Sequence, residues 1–369
     1  MSTDERTRVV SGFVCKWFTA RRRYFLSVLI IISLLESFTH FDSLFPDSAD
    51  YLAIGQSIQR GFFIGDFRLL RPVVPLLSVG LAEFTSLKVA FGLVNVGFWV
   101  ACTLLFYYFS LHMSLDAFGS FISAGFFACS VPMLRYGAAV LTDTPSYFFI
   151  LLIICMMFIW NLNDVSIGRL SLLTLLVAVG LLTKETVLSC FLILFCWILL
   201  SRRLYWKPLM AFGLSGVLVF LWSLFVGVSY LTLASAQLSY ANASQHFSML
   251  GKAVFWLYSI RVAFTIPVAV LTLIGILAFI KLGSNREILK KHLAMLFGFS
   301  AFLLLIVPVV DYRISFIMFP TILTLAAGGT ITLSEWLGAL TDTRFTRFFQ
   351  IAILFSYAVM TNGMILRIP

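Results

Sequence analysis

The chain has 369 residues, of which 61% are hydrophobic and only 11% charged, whereas an ordinary soluble domain carries about 25% charged residues. That balance excludes a soluble globular domain and a disordered chain, and leaves a polytopic membrane protein. The net charge of +10 does not argue for nucleic acid, because most of the excess sits in short clusters beside apolar runs, where anionic lipid and membrane orientation account for it.

The chain opens on a basic, polar tail, residues 1–24, expected in the cytoplasm. Arg21, Arg22 and Arg23 lead into the first apolar segment, 25–40, which lacks a small-residue cleavage site and reads as a retained signal anchor. Glu36 and His40 lie four apart near its outer end, on one helix face, where they can pair. Residues 41–77 follow, the longest polar interruption in the chain. Asp42, Asp47 and Asp50 sit near its start, and Arg60, Arg68 and Arg71 come after them. Tyr51, Ala53, Ile54 and Ile58 recur at helical spacing, which predicts a short amphipathic helix, and Gly61 and Gly65 mark the break after it.

Arg71 and Pro72 open a second apolar run, 72–88. Only 16 residues separate Arg71 from Lys88. At 1.5 Å per residue a helix there reaches about 24 Å, short of the roughly 30 Å hydrocarbon core, so this run is predicted to lie at the interface. Further apolar segments occupy 89–111, 117–135, 144–160, 167–183, 186–200, 208–233, 258–281, 292–310, 314–333 and 348–366. With 25–40 they predict eleven spanning helices. Charge supports the choice at 72–88: with that run not spanning, 16 of the 26 Lys and Arg residues fall inside. A spanning 72–88 would instead place the clusters at 202–207, 281–291 and 343–347 outside, against the positive-inside rule.

The expected architecture is therefore an all-α polytopic membrane protein in the plasma (inner) membrane. Its N-terminus is cytoplasmic and its C-terminus external, and residues 25–369 form one transmembrane domain. The first extracytoplasmic loop, 41–88, carries short juxtamembrane helices. The external face then collects that loop, the turns 135–146, 181–186 and 311–313, and the loop 234–257. Polar clusters that do not serve as topology signals all share that face. The cysteines (Cys15, Cys102, Cys129, Cys155, Cys190, Cys196) form no metal-like pair and imply no disulfide framework.

Each candidate residue has a chemical and a structural reading. Asp47 and Asp50 can serve as a general base for a hydroxyl, or as solvated acids, with Asp47 or Ser48 capping the helix around Tyr51. Arg71 suits bidentate contact with a phosphate, or a snorkelling interface anchor. Asp143, in Thr142-Asp143-Thr144-Pro145, is a catalytic acid or part of a helix-start signal. Lys184 is a second phosphate contact or a cation on a helix C-terminus; its place between two short apolar segments makes it a functional candidate. Arg313, in Asp311-Tyr312-Arg313, is a third cation for the same phosphate or a turn residue. His246 and the Asn242 sequon receive no role.

Taken in order, Pro46-Asp47-Ser48-Ala49-Asp50-Tyr51 with Gly61, Arg71-Pro72 with Pro75, Thr142-Asp143-Thr144-Pro145, Leu182-Thr183-Lys184-Glu185 and Tyr312-Arg313 with Pro320 resemble the GT-C class of integral-membrane glycosyltransferases. The resemblance is to members related to protein O-mannosyltransferases and the lipid A aminoarabinose transferase. It implies a polyprenyl-phosphate sugar donor, an acceptor hydroxyl and inverting transfer on the extracytoplasmic face. Asp47 matches the first-loop catalytic aspartate, Asp143 the second-loop acid and Arg71 the basic residue that binds the donor phosphate. Lys184 and Arg313 match recurring basic positions, and Asp50 and Tyr51 complete the substrate-binding set. Ser48 stands where many relatives have a second acid, which argues against paired carboxylates holding a divalent cation there and leaves metal dependence open. The chain stops at Pro369 with no soluble domain for a peptide, which favours a lipid, glycan or small hydroxyl acceptor. The rival reading is a transporter or flippase for a lipid-linked or anionic solute. Such proteins usually carry internal repeats and place ionisable groups at the bilayer midplane; here no repeat is evident and the candidates cluster at one face.

Overall fold

The computed structural model describes residues 22–39, 41, 44–61, 67–160, 165–229, 232, 235, 249–281, 286–306, 317–340 and 345–365. Among them every regular element is helical. In chain order they are α1 (22–39), α2 (Pro46–Gln59), α3 (Val73–Leu81), α4 (Leu87–His112), α5 (Ala117–Ala128), α6 (Val131–Tyr136), α7 (Asp143–Ile159), α8 (Ile167–Leu181), α9 (Ser189–Ser201), α10 (Trp206–Val226), α11 (Met249–Lys281), α12 (Arg286–Ala301), α13 (Phe319–Leu340) and α14 (Thr346–Ile365). Short 3₁₀ turns occupy Phe67–Leu70 and Glu185–Leu188.

Each of the eleven apolar segments contains a helix. Five described helices are long and apolar enough to cross a membrane: Leu87–His112, Trp206–Val226, Arg261–Ile280, Arg286–Ile306 and Thr346–Ile365. Four shorter apolar stretches, of 10–17 residues, accompany them. The outward faces fit a lipid environment. On α10, Val217, Phe220, Leu221, Leu224 and Phe225 are exposed, while Ser215 and Ser223 turn inward and bond to Phe212 O and Phe220 O of their own helix. With every described element a helix and such an apolar exterior, the chain is an integral membrane protein.

Local chemistry sets several element boundaries. The predicted segment 117–135 is divided in two, because Ser130 in extended conformation precedes α6, whose first turn holds Pro132. The segment predicted to run to 233 ends at Val226, where Gly227 takes a left-handed conformation (φ 69°). α11 is broken at Thr265 (φ 58°, ψ 160°), two residues before Pro267. The proline ring disfavours helical geometry just ahead of it and removes a backbone donor.

α2 and α3 carry the predicted amphipathic and interfacial runs. α2 buries Ser48, Tyr51, Ile54, Gly55 and Ile58: Tyr51, Ile54 and Ile58 form the expected stripe, whereas Ala53 lies off that face and is exposed, and the chain leaves the helix through Gly61 at φ 79°. α3 has 9 residues, which reach about 14 Å and do not cross the bilayer. The N-terminal cap of α2 differs from expectation. Phe45 occupies the cap position and Pro46 the first turn. Ser48, inside the helix, accepts a hydrogen bond from the Phe45 amide at 2.9 Å, so it reaches back to the cap rather than being it.

Two small apolar clusters seat α2 on the rest of the bundle. Tyr51 packs with Val74, Phe91, Tyr136, Ala139, Val140 and Leu141. Ile54 and Ile58 pack with Leu69, Leu70, Val226 and Val228. The main core lies deeper, around Trp99, Phe106, Phe126, Phe127, Tyr147, Phe264 and Phe319. α2 is thus packed on one end of the bundle, where Tyr51 and Arg71 meet the start of α7 and the break after α8.

Candidate active site

Four segments distant in sequence supply the site: α2 with Tyr51, the residues after the turn Phe67–Leu70 with Arg71, the start of α7 with Thr142 and Asp143, and the break after α8 with Lys184 and Glu185. Their backbones are tied down one by one. The Trp222 indole of α10 donates to Leu69 O at 2.8 Å, two residues before Arg71. Asn95, buried on α4 at 1% exposure, donates through Nδ2 to Ala139 O and, at 3.1 Å, to Leu141 O. A single buried amide thus clamps the turn that leads into Thr142. Across the α7–α9 junction Thr186 Oγ1 donates to Ser146 Oγ at 3.2 Å, and Ser146 Oγ donates to Asp143 O at 2.7 Å.

The side chains then meet. Arg71 donates from Nη1 to the Tyr51 hydroxyl at 3.1 Å and from Nη2 to Glu185 Oε1 at 2.6 Å. The Tyr51 hydroxyl lies 3.0 Å from Thr142 Oγ1. Lys184 Nζ donates to Asp143 Oδ1 at 2.6 Å. The two ion pairs differ in burial. The Arg71 and Glu185 side chains are 15% and 25% exposed, whereas those of Lys184 and Asp143 are 8% and 3% exposed. Burial alone would lower the Arg71 pKa, but Glu185 and Tyr51 outweigh it and hold the guanidinium above its ordinary value. Arg71 is a permanent cation in this setting.

The helix-start signal at residues 142–145 is put to tertiary use. Thr142 sits at the N-cap of α7 but makes no side-chain cap bond; its hydroxyl goes to Tyr51. Asp143, in the first turn, gives its carboxylate to Lys184. The Lys184 ammonium accordingly meets a carboxylate at the start of α7, not the carbonyl end of α8.

Of the residues singled out from sequence, Tyr51, Arg71, Asp143 and Lys184 converge. Asp47 is exposed in the first turn of α2, one helical turn before Tyr51 and thus on the same side of that helix. Asp50 is half-buried beside Tyr51. Arg313 lies outside the described residues, as do Asp42, His40, Asn242 and His246. Glu36 accepts from Asn362 Nδ2 of α14 at 3.2 Å. Sequence reasoning did not assign Glu185 or Thr142 a role. Both were visible as parts of polar breaks, but the Arg71–Glu185 contact joins residues 114 apart, and nothing local announces it. Among the described residues no three His, Cys, Asp or Glu side chains come together as a metal site, and the Asp143 carboxylate is engaged by Lys184.

No family model and no curated protein matches the chain. Among solved structures, the crystal structure of ArnT from Cupriavidus metallidurans in the apo state superposes with a TM-score of 0.57 at 15% identity, over 97% of this chain and 72% of that one. The likeness is one of fold.

Proposed function

We propose that this protein is a membrane glycosyltransferase that moves a sugar from a polyprenyl-phosphate donor to a hydroxyl acceptor, with inversion, on the extracytoplasmic face. The observation that supports it most is the meeting of Arg71 and Lys184 with Tyr51 and Asp143 beneath the helix that carries Asp47, within an ArnT-like fold. A lipid phosphate needs cations and an acceptor hydroxyl needs a base, and here both kinds of group belong to one end of the bundle.

In this reading the isoprenoid tail lies in lipid against the helices, and the donor phosphate sits against Arg71, with Lys184 and Arg313 contributing charge. Asp47 takes the proton of the acceptor hydroxyl. The acceptor oxygen forms its bond to the anomeric carbon from the face opposite the phosphate as the bond from that carbon to the phosphate oxygen breaks. The polyprenyl phosphate leaves as an anion, so a fixed cation at the leaving oxygen supplies the main electrostatic stabilisation. Tyr51 orients the Arg71 guanidinium, and Asp143 holds Lys184 in place. The acceptor is a lipid, a glycan or a small hydroxyl compound.

The test is transfer of a labelled sugar from polyprenyl-phosphate donors by the purified protein in lipid. D47N is expected to fold as wild type, to bind donor, and to lose transfer by roughly 10²- to 10⁴-fold, the range for removing a general base. Wild-type rates in D47N, or flipping of the lipid without any covalent product, would overturn the reading.

A further inference from the structure

The cations of this site are not held in waiting for an anion. Each already has a carboxylate at 2.6 Å: Glu185 on Arg71 and Asp143 on Lys184. Among the described residues these two pairs carry no net charge, and a cation already paired has less to offer a phosphate than a bare one. An incoming phosphate must therefore take the place of one of the carboxylates.

The two carboxylates are not equally able to leave. Asp143 is 2% exposed as a residue and stands in the first turn of α7, its carboxylate on Lys184 and its backbone carbonyl held by Ser146. Removing it from Lys184 would strand a buried ammonium. Glu185 starts a four-residue 3₁₀ turn and its side chain is 25% exposed against 3% for Asp143, so it is the carboxylate nearer to water. Arg71 has a further reason to accept a different anion: its Nε is buried and makes no hydrogen bond among the described residues. One carboxylate oxygen on Nη2 leaves the guanidinium fork half used, whereas a phosphate presents oxygens enough for two of its nitrogens.

We infer that Glu185 is a displaceable counter-ion that occupies the phosphate position on Arg71, and that an incoming phosphate binds by exchanging with it. Lys184 and Asp143 stay paired through the exchange and form the fixed wall of the site. Glu185 is thus a positioning residue: in the absence of ligand it keeps Arg71 aimed at Tyr51, and it yields when a better anion arrives. The inference rests on the donor reading for the identity of the phosphate, but the exchange itself concerns any phosphate that reaches Arg71.

The experiment compares wild type with E185Q, which keeps the shape and one acceptor oxygen and removes the charge. Binding of inorganic phosphate, a polyprenyl phosphate and the uncharged polyprenol is measured on protein in nanodiscs. Exchange predicts that E185Q binds both phosphates about tenfold more tightly, the order expected when an opposing partly exposed pair no longer has to be broken, with polyprenol binding unchanged. In the transfer assay the donor KM falls while kcat does not rise. Tightening toward inorganic phosphate alone would uphold the exchange and overturn the lipid-donor reading. Equal or weaker binding of both phosphates by E185Q would overturn the exchange, while wild-type transfer still decides the donor question. A structure of the wild-type protein with polyprenyl phosphate gives an answer independent of the variant's folding. Glu185 withdrawn from Arg71 supports the inference, and a retained contact with phosphate bound elsewhere overturns it.

Discussion

At the scale of single residues the site depends on charges that the bundle buries only because they meet. Lys184 is 6% exposed and Asp143 2%, and a buried ammonium without its carboxylate is costly, whereas the pair together is close to neutral in stability. D143N and K184M are each expected to lower stability by about 3 kcal/mol, and the double variant to cost clearly less than the two singles combined. Thermal unfolding in a matched detergent reads this out; additive losses would mean that the two side chains do not act as a pair. The local sequence suggested other roles for these residues, a helix start for Thr142-Asp143 and a helix end for Lys184. Both readings rested on neighbours in the chain. What overrides them is a set of partners 41 to 91 residues away, brought close by packing that no short window contains.

At the scale of elements, apolar periodicity in a lipid-facing chain is a strong signal, and a helix stands at each of the eleven predicted segments. The ends were less legible because they depend on individual residues: Pro132 divides one segment, Gly227 ends another, and Thr265 with Pro267 breaks a third. The contact between α11 and α13 turns on a feature that hydropathy does not register. A Cβ on Gly275 would collide with Leu325 O, and one on Gly329 with Leu271 O. The two backbones approach closely because both positions lack a side chain, as small residues permit between membrane helices. G275A and G329A are each expected to lose about 2 kcal/mol through separation of the helices. At Gly213 or Gly216 of α10, where a Cβ meets open space, the same change costs little. Equal effects at all four sites in detergent melting experiments would refute the close-contact argument.

At the scale of the whole molecule, the loop 41–88 and the turns around 142 and 184 belong to one end of the bundle. The contacts of Tyr51 with Thr142 and of Arg71 with Glu185 require it. Which side of the membrane that end faces is a question of charge. The stretch between α9 and α10 carries Arg202, Arg203 and Lys207, with both arginines exposed, and it lies one helix away from Lys184. A helix that leaves the Lys184 end and reaches a cluster of three cations satisfies the positive-inside rule only if that cluster is cytoplasmic. That supports the extracytoplasmic placement proposed for the site. Cysteine at Ala49, exposed on α2, is therefore expected to react with a membrane-impermeant thiol reagent added to intact cells, and cysteine at Leu204, exposed in the basic stretch, only after the membrane is opened. The described native cysteines are buried or half-buried, and a background in which all six are replaced removes their signal. Labelling in the reverse order would place Arg71 and Lys184 at the cytoplasmic surface, and the donor headgroup would have to be offered from there.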